Sequence, residues 1–177
     1  MIHGNRVRFR APERNDIPLF VNWLNDTEVV AGLLLSLPFS TADEENWFDN
    51  MLKRPLEEHP MVIEFQDGGG WFAVGNCGFH NFDWRSRSAE VGIFIGEKAH
   101  WNRGIGTEAM QLLLKHGFQT LNLNRIGLEV FENNPRAIHC YEKVGFVHEG
   151  RKRQAMYKNG QYVDVLYMSV IRSDWSE

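Results

Sequence analysis

The sequence lacks any apolar run long enough to span a bilayer, so no membrane-crossing helix is expected. Cysteine is scarce: Cys77 and Cys140 stand alone and far apart, which excludes a disulfide framework or a CxxC metal or redox site and predicts buried free thiols. A surplus of cations is missing too. The 19 Lys and Arg face 23 Asp and Glu for a net charge of -4, whereas a nucleic-acid binder needs clustered positive charge to neutralise phosphates. No pair of histidines has metal-ligand spacing, so no metal is expected. The opening Met1-Ile2-His3-Gly4-Asn5-Arg6 has neither the apolar core nor the small-residue cleavage site of a secretory leader. Together these gaps predict a soluble cytoplasmic protein that binds neither nucleic acid nor membrane.

What is present suits a single domain over residues 1–177, since 43% hydrophobic and 24% charged residues in a chain of 177 can close one core without staples. The excess acid is concentrated between Glu13 and Asp67, where carboxylates far outnumber Arg14, Lys53 and Arg54. That half could attract a cationic acceptor, or could simply be solvated helix faces. The 6 Trp and 12 Phe are more aromatic surface than one small core needs, which suggests a homodimer or higher homo-oligomer.

Val7-Arg8-Phe9-Arg10 alternates like a half-buried strand. Asp16 is placed to cap a first helix through about Asn25, and Thr41 with Glu44 forms a capping box for a second helix ended by Pro55. Met61 to Phe65 and Trp71 to His80 read as a hairpin around Asp67-Gly68-Gly69-Gly70. Glu90 to Ile95 is a fourth strand, followed by a long helix from Gly104 to about Asn122 that is apolar on both flanks. Arg125 to Val130 is a fifth strand, Pro135 to Val144 a short helix, and two strands around Asn159-Gly160 close the chain. Strands mixed with helices, including a strand-helix-strand unit over 90–130, predict an α/β (α+β) single sheet.

Between the fourth strand and the long helix lies Trp101-Asn102-Arg103-Gly104-Ile105-Gly106-Thr107. Amides at a helix N-terminus, with the positive end of its dipole, favour a pyrophosphate, and glycines let that group approach the backbone. Arg103 can add a charge-assisted contact. No Lys-Ser/Thr follows Gly106, as a P-loop requires, and Ala109 stands where the third glycine of a GxGxxG dinucleotide loop would fall. A nucleotide whose chemistry lies elsewhere is favoured.

This stretch resembles the pyrophosphate motif of the Gcn5-related N-acetyltransferases (GNAT), (Gln/Arg)-x-x-Gly-x-(Gly/Ala), with Gly104 and Gly106 on its glycines. Trp101 departs from the motif in the manner of the RimJ/RimL-type branch. Downstream, Asn134-x-x-Ala137-x-x-x-Tyr141 with Gly145-Phe146 is similar to the family's second hallmark. Asn134 can cap that short helix, Pro135 suits its first position and Gly145 its end.

The resemblance implies the GNAT fold: a mixed, mostly antiparallel twisted sheet of six to seven strands, flanked by about four helices, with strands four and five splayed. It implies acetyl-CoA as cosubstrate, and direct transfer of its acetyl group to an amine in a ternary complex. In that setting Tyr141 is the general acid for the leaving thiolate, and the backbone of Ile93, Phe94 and Ile95 faces pantetheine and steadies the developing oxyanion. Glu90 resembles the general-base glutamate of the histone acetyltransferase branch, thirteen residues before the loop arginine, here Arg103. It could act directly or through a water, or else pair with Arg85 or Arg87; His80 and His139 are lesser candidates. The opening Trp23-Leu24-Asn25-Asp26 with Glu28-Val29 is similar to RimJ/RimL-type enzymes, which acetylate protein N-termini. The closing Asn159-Gly160-Gln161-Tyr162 with Asp164 looks like the spermidine and diamine acetyltransferases. The expected acceptor is accordingly a polyamine-like small amine, with a protein N-terminus as alternative and a non-catalytic acetyl-CoA-binding module as a third reading.

Overall fold

The computed structural model describes residues 1–35 and 38–176. It holds β1 (Ile2–His3), β2 (Val7–Arg10), α1 (Ile17–Leu24), α2 (Thr41–Met51), β3 (Met61–Asp67), β4 (Gly70–Asp83), β5 (Ser88–Ile95), α3 (Ile105–Lys115), β6 (Arg125–Phe131), α4 (Pro135–Lys143), β7 (Val147–Lys158) and β8 (Gln161–Ile171). The strands form one sheet of order β1-β2-β3-β4-β5-β6-β8-β7. β5 and β6 are parallel, whereas β1–β2, β2–β3, β3–β4, β6–β8 and β7–β8 are antiparallel. This is the mixed, mostly antiparallel sheet with four helices that the sequence implied, but with eight strands rather than six to seven. The addition is β1, which pairs Ile2 with Phe9 and His3 with Arg8 and is too short to show an alternation.

Local chemistry explains the elements and corrects some of their ends. The α2 capping box sits one residue earlier than expected: the Ser40 hydroxyl accepts from the Asp43 N–H (3.2 Å), and the Asp43 carboxylate accepts from the Ser40 N–H (2.8 Å). Thr41 is therefore the first helical residue, and Glu44 turns inward and is buried. The helix also stops at Met51 rather than reaching Pro55. Asp16 precedes α1 but does not cap it, because its carboxylate is occupied by the Glu13 N–H (2.8 Å) and by Arg10 (2.7 Å). α3 ends at Lys115 in a π turn, His116–Thr120, short of Asn122. Along α3, Ile105, Ala109, Met110, Leu113 and Leu114 are all buried, so both flanks are covered as expected. Of the cysteines, Cys77 is buried and Cys140 only partly so. No helix among the described residues is long and apolar enough to cross a membrane.

Contacts divide the chain into two compact units, Met1–Phe79 with Ile93–Ala109 and His80–Gly92 with Met110–Glu177. In the first, Phe20, Trp23, Val29 and Val62 form a core against which Trp47, Phe94 and Trp101 pack. Each fully buried side chain of this size contributes about 1.5–3 kcal/mol, so the cluster outweighs the unit's surface ion pairs, worth about 0–1 kcal/mol each. Those pairs nevertheless change the reading of the acidic half. Asp16 and Glu64 bind Arg10, Asp26 and Glu28 bind Lys98, Asp49 binds Arg14 and Asp67 binds Arg103. Much of that negative charge is already neutralised, which leaves less of it to attract a cation.

In the second unit, β6 buries Ile126, Leu128 and Val130, while Phe131, Val163 and Val165 form a further cluster. On its surface Arg125 grips Glu149 with both terminal nitrogens, one at 2.8 Å, and this hydrogen bonding pulls the Glu149 carboxyl down to about 2. A carboxylate held below its unfolded value of about 4.3 stabilises the fold above that pH and loses its contribution as pH falls through the folded value. About a third of each side chain is exposed, so water screens part of the effect. Thermal melts between pH 7 and pH 2 should therefore show the parent protein above Glu149→Gln at neutral pH, with the two curves merging at the acid end. A gap that is independent of pH would rule this out.

Candidate active site

The glycine turn lies in the first unit. Gly104 has φ +79°, a left-handed conformation that side chains with a Cβ rarely adopt, and it hands the chain directly to α3. The Glu108 N–H is bonded to the Gly104 carbonyl at 3.0 Å, so the amides of Ile105, Gly106 and Thr107 precede this rung and lie at the positive end of the helix. Asn102 is also left-handed, at φ +59°. The resulting cradle suits a diphosphate through backbone donors, which is the fit that CoA requires.

Charge around the turn is ordered. The Arg103 guanidinium donates to Asp67 (2.9 Å) and lies over the Phe65 ring at 5.1 Å, which leaves it further donors for a phosphate. Arg6, not anticipated from the sequence, stands with Nη2 3.7 Å from where a Gly104 Cβ would be. The Glu108 carboxylate, the one acid in the first turn of α3, accepts from the backbone N–H of Arg6 (2.5 Å) and Val7 (3.0 Å). The same carboxylate pairs with the Arg6 guanidinium (3.0 Å), so its charge is committed to Arg6 and the start of β2.

Trp101 has a structural duty beside any contact with cofactor. Its indole N–H donates to the Ile95 carbonyl (2.8 Å), tying the loop to the end of β5, and its ring joins the aromatic core. Phe94 meets Trp23 edge-on at 6.2 Å. Ile93, Phe94 and Ile95 are half-buried. Behind them Gly75 on β4 is indispensable to the close approach, because a Cβ there would lie 2.1 Å from the Phe94 carbonyl oxygen.

The second unit holds the titratable groups. The parallel ladder of β5 on β6 has three rungs, Ser88–Arg125, Ala89–Ile126 and Glu90–Gly127, while β6 continues against β8 as far as Phe131. Glu90 thus stands on the last rung before the strands part. One of its oxygens accepts from the Asn81 amide (2.8 Å) and lies 3.7 Å from His80 Nδ1; the other accepts from the Tyr167 hydroxyl (3.4 Å). It meets neither Arg85 nor Arg87, the partners considered from sequence, and Arg87 instead reaches Asn122 (3.4 Å).

The second motif forms as its spacing predicts. Asn134 caps α4 by accepting from the Ala137 N–H (3.2 Å), with Pro135 in the first turn, and Gly145 turns the chain out at φ +100°. Tyr141 is buried and packs on Phe146 with ring centroids 5.8 Å apart. Burial raises its phenol well above the usual tyrosine range, so it remains a proton donor at neutral and mildly alkaline pH. No hydrogen bond to its hydroxyl is found among the described residues. His139 is exposed on the same helix, and no group of three or more His, Cys, Asp or Glu that could hold a metal occurs among the described residues.

The family model for the acetyltransferase (GNAT) domain matches residues 6–147. The chain belongs to this family. It is an acetyl-CoA-dependent N-acetyltransferase. The spermidine N(1)-acetyltransferase of Escherichia coli (strain K12) is 35% identical over 175 residues, covering 99% of this chain and 91% of that protein. A putative ribosomal N-acetyltransferase, YdaF of Bacillus subtilis (strain 168), is 33% identical over 101 residues, 57% of this chain and 55% of that one. Among solved structures, the spermidine N-acetyltransferase from Vibrio cholerae in complex with CoA and spermine superposes with a TM-score of 0.87 at 27% identity, covering 97% of this chain and 98% of that chain.

Several groups of this acetyltransferase escaped the sequence reading: Arg6, Gly75, Asn81, Gly127 and Tyr167. Gly75 and Gly127 left a mark, as glycines inside strands, where they signal a close approach. The others act across distances in sequence that no local pattern carries.

Proposed function

We propose that the whole chain, residues 1–177, is one domain that transfers the acetyl group of acetyl-CoA to the primary amine of a small polyamine-like molecule. The observation that carries this reading is near-complete coverage by a spermidine acetyltransferase at 35% identity, together with a carboxylate, Glu90, presented where β5 leaves β6. The thioester supplies the activated acyl group.

On this proposal the amides of Ile105, Gly106 and Thr107, with Asn102, Arg103 and Gly104, hold the diphosphate. Ile93, Phe94 and Ile95 offer backbone groups to the pantetheine arm and the acyl oxygen, Trp101 fixes that segment, and Asn134 and Ala137 shape the start of α4. Glu90 removes a proton from the acceptor, which as a free amine is largely protonated near neutrality. As the amine nitrogen bonds to the acyl carbon and the carbon–sulfur bond breaks, the Tyr141 hydroxyl gives its proton to the thiolate. The proposed enzyme acts in the cytoplasm as a homo-oligomer.

A second reading, acetylation of protein N-termini, draws support from the partial likeness to the putative ribosomal acetyltransferase. Initial rates of CoA release with spermidine, spermine, short diamines and peptides bearing free α-amines separate the two. Saturable turnover of polyamines is expected, with peptides inert. Turnover of peptides alone would replace the first reading with the second, and acetyl-CoA binding without any turnover would favour a non-catalytic module.

A further inference from the structure

Outside the groups just assigned, the second unit contains an arrangement that the proposed chemistry has not used. On β8, Tyr167 extends its phenol toward Glu90 and donates to Oε1 at 3.4 Å. It reaches there because β6 carries Gly127 on the rung facing Glu90: a Cβ at that position would lie 2.5 Å from the Tyr167 oxygen. The other carboxylate oxygen is held at 2.8 Å by Asn81, a non-glycine residue in the left-handed region at φ +53° at the far end of β4. A carboxylate held from two strands by two donors cannot swing freely.

We propose that Tyr167 is a positioning residue, whose phenol, admitted by the missing side chain of Gly127, holds the Glu90 carboxylate in the orientation from which it takes the acceptor's proton. The inference rests on the proposal that Glu90 is the base. Three further groups complete the surroundings. His80 lies 3.7 Å from the Asn81-bound oxygen of Glu90, the Arg125 guanidinium stands 6.0 Å from the Tyr167 ring centroid, and Lys152, ion-paired with Glu129, adds a more distant positive charge. Burial and the neighbouring Glu90 charge both push the Tyr167 phenol up, against a smaller opposing effect of Arg125. The phenol therefore stays protonated, as a donor must.

The competing explanation is that Tyr167 merely fills space above a glycine. Tyr167→Phe retains the ring and removes only the donor, so the two accounts part. In rate–pH profiles of acetyl transfer, the variant is expected to lose about tenfold in kcat/KM. KM for acetyl-CoA should stay within about twofold, since uniform binding is untouched. Combined with Glu90→Gln, Tyr167→Phe should cost nothing more, because it acts through the group already removed. A lowered melting temperature with an unchanged kcat/KM, or a full further loss in the double variant, would overturn the proposal in favour of a packing role. An unchanged rate for Glu90→Gln alone would instead remove the base assignment on which this inference rests. Should Glu90→Gln abolish turnover while Tyr167→Phe leaves kcat/KM unchanged, the base would stand and the positioning role would fall.

Discussion

Glu90→Gln is expected to lower kcat/KM for acetyl transfer by about 10²-fold or more, within the range that a positioned general base supplies. The amide keeps the shape of the carboxylate: its one oxygen can still accept from Asn81 while its NH2 turns to donate to the Tyr167 oxygen, so the fold should be spared. What is lost is the capacity to take a proton. Because the fraction of acceptor present as free amine grows as pH rises toward its own pKa near 10.4, the deficit should shrink at alkaline pH. Rates measured from pH 6 to pH 10 would show this convergence. A constant rate at all pH values would eliminate Glu90 as base and return attention to His80.

Tyr141→Phe should reduce kcat at least tenfold, toward the ~10²-fold expected of a general acid, while the affinity for acetyl-CoA changes little. Burial keeps this phenol protonated well past its ordinary range, so loss of its proton should produce no alkaline limb near neutral pH. An acceptor-independent measure of CoA binding, such as the shift in melting temperature with acetyl-CoA, separates chemistry from affinity. If binding collapsed together with rate, Tyr141 would be part of the binding surface instead of the acid. The ring itself packs on Phe146, and the phenylalanine preserves that contact.

Legibility from sequence followed the range over which each device acts. The α4 segment was fully readable, because Asn134, Pro135 and Gly145 work through hydrogen bonds and backbone conformations within a few residues. The glycine turn was readable for the same reason. The α2 cap was misplaced by one residue, since Ser40 and Thr41 are equally able to cap and only the inward turn of Glu44 selects between them. β1 was missed because two residues carry no period. Glu90 could be singled out through its resemblance to the family's general-base glutamate, but its company could not.

The sequence by itself determined the mixed architecture and, through the resemblance of the glycine turn and the Asn134-to-Tyr141 segment to the family's motifs, an acetyl-CoA-dependent enzyme, because both motifs are written in contiguous residues. Only the tertiary structure decided which groups surround the carboxylate. Asn81, Gly127 and Tyr167 come from three different strands, and they are brought within hydrogen-bonding reach by the order β4-β5-β6-β8, which chain sequence does not specify locally. The same holds for the acidic half, where Arg10, Arg14, Lys98 and Arg103 pair with six of its carboxylates, Asp16, Asp26, Glu28, Asp49, Glu64 and Asp67, and so weaken the field that the count implied. Charge counts along a chain sum over residues, whereas electrostatic attraction depends on which of them the fold has already paired.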